Sequence, residues 1–177
     1  SFAVAIQALD EGKLSDAEQM FEDLVRRFPH DYSAWYLLGK CRQLNANWPG
    51  GEAAFSTCIA MNRACWLAWR DRGICRLQLQ RAVDAEQDFQ EVLQGRPEDP
   101  AAFLNLCLAQ LQLENLAEAD KSVSQCLQLQ GPSRAWFIRS QLKASRGDAE
   151  GAAQDFAQGL QTEPNEVDSW IARGMAV

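Results

Sequence analysis

Several residue patterns that mark common catalytic and metal sites are scarce or absent in this chain of 177 residues. It has a single histidine, His30, no CxxC pair among its six cysteines, and no glycine-rich phosphate loop. A nucleophile needs a base within reach, and a structural zinc site usually needs closely spaced Cys or His ligands. We therefore predict a protein with no catalytic residues, no cofactor and no metal.

An excess of basic charge and a long apolar run are also missing. The formal net charge of -7 argues against binding to nucleic acid or to anionic lipid. No apolar run approaches the ~20 residues needed to cross a bilayer, and the first residues lack the pattern of a signal peptide. Cysteines in a mid-sized chain without a small, loop-rich framework favour a reducing compartment. These features predict a cytoplasmic protein without nucleic-acid or membrane partners.

The residues that are abundant favour helices. Leu, Ala, Gln and Glu dominate, whereas the strand formers Val, Ile, Thr and Tyr are scarce. Hydrophobic residues make up 47% of the chain, which is enough to bury a core. We predict an all-α protein that folds along its whole length.

A bulky aromatic residue recurs at intervals of 34, 34, 33 and 34 residues. These aromatics are Trp35, Trp69, Phe103, Trp136 and Trp170. Four residues after each aromatic lies a small one, namely Gly39, Gly73, Cys107, Ser140 and Gly174. A second aromatic or valine completes most repeats, at Phe55, Phe89, Val123 and Phe156. A period of this length is typical of stacked helix-turn-helix repeats.

On these residues the sequence resembles the tetratricopeptide repeat family along essentially its whole length. The resemblance implies a right-handed superhelical solenoid of helix-turn-helix repeats, a single domain over 1–177. The repeats fall at about 1–31 (partial), 32–65, 66–99, 100–132, 133–166 and 167–177 (partial). The tyrosine of the family's first helix is replaced by Arg42, Arg76, Gln110 and Lys143, which we expect to weaken single contacts.

Each repeat should contain a first and a second helix. We predict first helices at about 1–11, 32–44, 66–78, 100–112, 133–146 and 167–177, and second helices at about 15–28, 52–62, 82–94, 116–129 and 149–161. Ser15 with Glu18 fits a capping box, Asp99-Pro100 a helix start, and Gly147-Asp148 a turn. Because the chain stops at Val177 inside a predicted helix, we expect it to be a fragment of a longer protein.

The cysteines and tryptophans are interpreted as packing residues. Cys41 and Cys75 occupy one repeat position, Cys58 and Cys126 another, and Cys107 the small-residue position. Cysteine at such positions behaves as a small buried hydrophobic residue. The strict repetition of the tryptophans likewise favours packing over ligand stacking. Cys65, at a repeat boundary, is the least constrained cysteine.

The family resemblance implies binding of a protein or peptide on a concave face lined by the first helices. Carried over to this chain, the implied peptide-binding positions are Tyr36, Lys40, Arg70, Ile74, Leu77, Leu104, Leu108, Leu111, Phe137, Gln141, Ile171 and Met175. The Lys and Asn set of a carboxylate clamp is not matched, because Tyr36, Asp71 and Leu67 stand where its donors are expected. We predict a scaffold for an apolar or amphipathic segment.

Leu104, Leu108 and Leu111 form an apolar stripe with helical spacing in the middle repeats. Intra-repeat packing does not account for them, so we interpret the stripe as a contact surface, which could also drive self-association. The alternative is that the stripe belongs to the core or is covered by another segment.

A second function is also compatible with the sequence. The stretch from Arg134 to Met175 resembles repeat regions that follow serine/threonine kinase domains in some bacteria, particularly planctomycete-like ones. The chain would then be a regulatory or substrate-recruiting part of a larger enzyme. No kinase motif occurs within the chain itself.

Overall fold

A computed structural model describes residues 1–162 of the chain, and every regular element in this range is an α-helix. The prediction of an all-α helical-repeat fold is confirmed. The helices are α1 (Phe2–Asp10), α2 (Leu14–Arg27), α3 (Tyr32–Leu44), α4 (Trp48–Met61), α5 (Trp66–Gln78), α6 (Ala82–Gly95), α7 (Pro100–Gln112), α8 (Leu116–Gln128), α9 (Arg134–Ser145) and α10 (Ala149–Gln161). The helix predicted at 167–177, with Trp170, Ile171 and Met175, lies outside the described residues.

Consecutive helices pack in pairs, α1 with α2, α3 with α4, and so on to α9 with α10. The helices fall into two compact units. Unit 1 runs from Ser1 to Gly95 and contains α1 to α6, and unit 2 begins at Arg96 and contains α7 to α10. Within each unit the odd-numbered helices are the first helices of the repeats and the even-numbered ones are the second. The single solenoid domain over 1–177 stays a prediction.

Most helix bounds lie within one residue of the predicted ones, and the exception is α4. It begins at Trp48, four residues before the predicted start at 52, and contains Pro49, Gly50 and Gly51 in its first turn. Proline is tolerated in the first helical turn, where its missing N–H would have no helical partner. Asn47 caps this turn by accepting a hydrogen bond from the backbone N–H of Gly50 at 3.1 Å.

Two of the three predicted local signals are confirmed. The Asp99 carboxylate accepts hydrogen bonds from the N–H groups of Ala101 and Ala102 at 3.0 and 3.1 Å, at the start of α7. Gly147 has φ +84°, and Asp148 caps α10. The capping box at Ser15 is wrong, because α2 begins at Leu14 and its N-cap is Lys13.

The small residue after each aromatic is explained by its neighbour on the second helix. A Cβ atom at Gly73 would lie 2.6 Å from the ring of Phe89, which is fully buried, and Gly39 is equally close to a buried phenylalanine. In the first repeat of unit 2 the same positions hold Cys107 and Val123. The smaller valine leaves room for the Cys107 side chain on the facing helix, whereas the next repeat places Ser140 and Phe156 at these positions.

Ion pairs join the two helices of a repeat at matching positions in both units. Arg72 and Arg76 lie 2.7 and 2.9 Å from the carboxylate of Asp88 on α6. In unit 2, Arg139 and Lys143 lie 2.7 and 2.9 Å from Asp155 on α10. Arg76 and Lys143 stand where the family tyrosine was expected, so a charged contact replaces the aromatic one at these positions.

Candidate binding face on the first helices

Three of the predicted binding residues converge on one carboxylate, that of Asp71 in α5. The Tyr36 hydroxyl donates to its Oδ2 at 3.0 Å, and Lys40 Nζ lies 3.3 Å from the same oxygen. Arg70 Nε donates to Oδ1 at 2.9 Å. Asp71 is only 1% exposed. The sequence identified the three donors by their repeat position but gave no sign that they share a buried anion.

The buried Asp71 carboxylate of this polar cluster is stabilised because Tyr36, Lys40 and Arg70 all donate to it or pair with it. A buried carboxylate is costly unless it is paired and hydrogen-bonded. Gln43 adds a link by donating to the Asp71 carbonyl oxygen at 3.3 Å, while Lys40 donates to the Gln43 side chain at 2.8 Å. Burial and then the Asp71 charge raise the pKa of Tyr36, so its hydroxyl keeps its proton and remains a donor.

A cleft of about 410 Å³ adjoins this cluster in unit 1. It is bordered by the start of α1, the first two turns of α3, the turn before α5 and the start of α5. Its lining residues are Phe2, Tyr32, Ser33, Tyr36, Leu37, Asn62, Ala64, Cys65, Trp66 and Leu67. The Arg70 guanidinium lies 5.5 Å from the centre of the Trp66 ring. The cleft is therefore mainly apolar and aromatic, with a cation beside its Trp66 wall.

The leucine stripe of unit 2 is not the exposed surface that the sequence suggested. Leu104 is only 1% exposed and packs in a buried cluster with Cys107, Val123 and Leu142. Leu111 is half-buried against the same cluster, and Leu108 is half-buried. For Leu104 the prediction of a free contact surface is wrong, because α7 turns this side chain toward the core of its unit. The alternative that the stripe belongs to the core describes it better.

Other predicted positions differ in their exposure. Phe137 is buried and packs edge-on against Phe156, with ring centres 5.8 Å apart, so it too contributes to the core of unit 2. Leu77 is also buried, whereas Ile74 is half-buried and Gln141 is exposed. Fewer of the predicted binding residues are therefore exposed than the family positions implied.

The cysteines are placed largely as packing residues. Five of the six are buried, and Cys65, which lines the cleft, is the half-buried one. Burial raises the pKa of the Cys75 and Cys107 thiols to about 12, so these two are unreactive thiols at neutral pH. Within residues 1–162, no group of three or more acidic, histidine or cysteine side chains is placed to hold a metal ion.

The repeated tryptophans are anchored in the way that a packing role predicts. The indole N–H of Trp35 donates to the Pro29 carbonyl oxygen, and that of Trp69 to the Arg63 carbonyl oxygen, both at 2.9 Å.

The described part of the chain contains no helix of the length and apolarity that a membrane span requires.

Comparison with known proteins adds the family and the fold. A tetratricopeptide repeat family model matches residues 3–42 and 45–102, which is more than half of the chain. A search of curated protein sequences found no match.

Many solved structures resemble the chain. MamA from Desulfovibrio magneticus RS-1 superposes with a TM-score of 0.85 at 16% identity, covering 90% of each chain. A thermophilic TPR protein of Thermus thermophilus gives 0.74 at 18%, covering 99% of this chain and 96% of that one. PilF of Pseudomonas aeruginosa gives 0.81 at 18%, covering 97% and 78%. At such low identity these likenesses show a shared fold and no more.

Proposed function

Because this chain belongs to the tetratricopeptide repeat family, whose helical repeats typically serve as protein-interaction scaffolds, we propose that it binds a protein or peptide segment on the first-helix face of unit 1. The chain acts without catalysis in this proposal. The segment is apolar or amphipathic and adds its side chains to the cleft formed by α1, α3 and α5.

The cleft itself is the observation that carries this proposal. It joins apolar side chains such as Leu37 and Leu67 to the polar cluster around Asp71. Binding sites of this kind combine an apolar lining with a few polar groups that fix orientation. The repeat positions that the family uses for binding supply Tyr36, Lys40 and Arg70 at this place.

Selection from a random peptide display library tests the proposal. Peptides selected on the wild-type chain are measured again on Leu67→Gln, which places an amide in the cleft, and on Val83→Gln, a matched change at an exposed site on α6. We expect at least tenfold weaker binding to Leu67→Gln and unchanged binding to Val83→Gln. Equal binding to both variants would place the peptides elsewhere and contradict the proposal.

The kinase-associated alternative gains no support from the family model or from the solved structures named above, and it is not adopted. A cytoplasmic, bacterial setting and self-association through apolar surface stay predictions. Light scattering across a range of protein concentrations tests self-association directly.

A further inference from the structure

We propose that Cys58 and Cys65 form an oxidation site, in which the two thiols close to a disulfide across the turn between α4 and α5 when the chain meets hydrogen peroxide. This inference is independent of the proposed function, because it concerns a bond formed within unit 1 and needs no binding partner. It follows from how the two thiols are placed relative to each other and to the cleft.

The two cysteines lie at opposite ends of one short turn. Cys58 is in the last turn of α4, and Cys65 is the N-cap of α5. The Cys58 carbonyl oxygen accepts from the N–H of Asn62 at 2.9 Å, and the Asn62 carbonyl oxygen accepts from the N–H of Cys65 at 3.1 Å. These hydrogen bonds tie both cysteines to Asn62 and hold the turn closed.

The side chains of the two cysteines are also neighbours. Cys65 packs against a buried cluster that contains Phe55 and Cys58, and its thiol is hydrogen-bonded to that of Cys58. The two sulfurs must approach to about 2 Å to form a disulfide. Cys65 makes no side-chain capping hydrogen bond at the start of α5, so its thiol can turn toward Cys58 without breaking one.

The two thiols differ in their access to solvent. Cys58 is fully buried, whereas Cys65 is half-buried and lines the cleft. Burial, and after it the neighbouring Cys65, raises the pKa of the Cys58 thiol to about 12, so this thiol keeps its proton at neutral pH. Because a thiolate is the form that attacks an oxidant, Cys65 reacts with peroxide and Cys58 then reacts with the oxidised Cys65.

The reaction has two steps and converts one peroxide molecule into two of water. The Cys65 thiolate attacks one peroxide oxygen, the O–O bond breaks, and the hydroxide that leaves takes up the proton that Cys65 lost. The Cys58 sulfur then attacks the sulfur of the Cys65 sulfenic acid, the S–O bond breaks, and the hydroxide that leaves takes the Cys58 proton. The two sulfurs together lose two electrons, which reduce the peroxide.

A second pair of neighbouring thiols provides an internal comparison. Burial, and after it the charge of Cys126, raises the pKa of Cys107, so these two side chains of unit 2 also interact. Both are fully buried, so neither is accessible to an oxidant as Cys65 is. We expect at least tenfold less disulfide between Cys107 and Cys126 than between Cys58 and Cys65.

Oxidation at this site would change one wall of the cleft. Asn62, Ala64 and Cys65 all line the cleft, and they belong to the turn that the disulfide would cross-link. The bond draws the Cys65 sulfur toward Cys58 on α4 and removes a free thiol from the lining. The reduced and oxidised chains therefore differ at this wall.

Trypsin makes the bond directly measurable, because it cleaves after Arg63, between the two cysteines. Cys58 is the only cysteine in the peptide 43–63. Cys65 is the only cysteine in the peptide 64–70. The folded full chain is treated with hydrogen peroxide, its remaining thiols are alkylated, and it is digested without reductant. We expect mass spectrometry to find the two peptides joined, with the loss of two hydrogen atoms, and dithiothreitol to separate them.

Cys58→Ala and Cys75→Ala distinguish the pair from its surroundings. Each variant removes one buried thiol from the same cluster, but only the first removes the partner of Cys65. In Cys58→Ala we expect the oxidised Cys65 to persist as a sulfenic acid that dimedone traps, whereas Cys75→Ala should form the disulfide as the wild type does. Thermal melts followed by circular dichroism report whether each variant is folded.

The wild-type chain decides the inference even if a variant fails to fold. Peptides 43–63 and 64–70 that stay separate after peroxide treatment would overturn it. A bond from Cys65 to a different cysteine, or to Cys65 of a second copy, would also overturn it, as would equal cross-linking of the two buried thiols of unit 2. None of these results depends on peptide binding, so the proposed function and this inference can fail separately.

Discussion

The two units use the same repeat register but place different chemistry on their first helices. The position after the repeated aromatic holds Tyr36 and Arg70 in unit 1, where both reach Asp71 beside an open cleft. In unit 2 it holds Leu104 and Phe137, which are both buried. Repeat position alone therefore does not mark a binding residue, because a side chain at that position can complete the core instead.

The opposite side of each repeat is alike in the two units. Asp88 in unit 1 and Asp155 in unit 2 each receive two cations from the preceding first helix. The units thus share the contacts that join a helix pair and differ in what they present on the first helices. Four predictions test this comparison, beginning with the largest expected effect.

The first prediction separates a core position from a face position at the same register. Leu104→Ala should lower the free energy of unfolding by about 2 to 5 kcal/mol, because it leaves a cavity in a buried cluster. Arg70→Ala should cost about 1 kcal/mol, since its side chain is partly exposed and Lys40 remains beside Asp71. Urea unfolding followed by circular dichroism measures both. Equal losses would mean that the units do not differ at this position.

The second prediction exchanges the packing of unit 1 for that of unit 2. Gly73→Ala should destabilise by about 1 to 3 kcal/mol, because its new Cβ meets the Phe89 ring. Adding Phe89→Val, which imitates Val123 of unit 2, removes that clash. The double variant should therefore lose less stability than the two single losses combined, by about 0.5 to 3 kcal/mol. Additive losses in this mutant cycle would show that the two sizes are independent.

The third prediction concerns how two buried aspartates make the free energy of unfolding depend on pH, and the expected dependence has opposite signs in the two units. Burial alone would raise the pKa of Asp155, but the hydrogen bonds and charges of Arg139 and Lys143 outweigh it and lower that pKa. Its stabilisation is therefore present above the unfolded pKa and is lost as pH falls through the folded one. For Asp88, burial outweighs Arg72 and Arg76 and raises the pKa, so its contribution is lost as pH rises through the folded pKa.

Asp155→Asn and Asp88→Asn measure this contrast. The stability difference between wild type and Asp155→Asn should grow as pH rises through the acidic range, whereas that for Asp88→Asn should shrink. A tenfold change in an ionisation constant corresponds to about 1.4 kcal/mol. We therefore expect the change of these stability differences with pH to be smaller than the stability losses of the two packing predictions. Thermal melts from about pH 3 to 7 give the slopes, and the same sign for both variants would contradict the prediction.

The fourth prediction concerns thiol access and changes stability least. Cys65 lines the cleft and is half-buried, whereas Cys107 and Cys126 of unit 2 are buried. Brief treatment of the folded chain with iodoacetamide should therefore alkylate Cys65 first. Peptide mass spectrometry identifies the modified thiols, with the urea-unfolded chain as the control in which all react. Labelling of Cys107 as fast as Cys65 would show that the core of unit 2 opens readily.

Much of the fold was predictable because helix formation is local. The 34-residue period and the apolar spacing located nine of the ten described helices to within one residue at each end. The exception, α4, shows the limit of local reasoning. Proline and glycine are common in turns, but here Pro49 and two glycines lie in the first turn of a helix that Asn47 caps. Ser15 shows the converse, because this capping pattern begins within the first turn of α2 and not at its N-cap, which is Lys13.

The candidate site was predictable only in part. The family register pointed to Tyr36, Lys40 and Arg70. All three contact the Asp71 carboxylate, and Tyr36 also lines the cleft of unit 1. The same register pointed to Leu104 and Phe137, which are buried. Leucine and phenylalanine satisfy a core as readily as a binding face, so residue type does not separate the two roles.

The sequence by itself determined the all-α repeat, the helix pairs and the small residues opposite large ones, because these depend on spacing along the chain. Only the tertiary structure decided which charges meet. Asp71 lies 35 residues from Tyr36 and 31 from Lys40 along the chain, and the packing of α3 on α5 brings them together. A buried anion shared by two cations is a property of helix packing in three dimensions, and it moved the candidate binding face from the leucine stripe to unit 1.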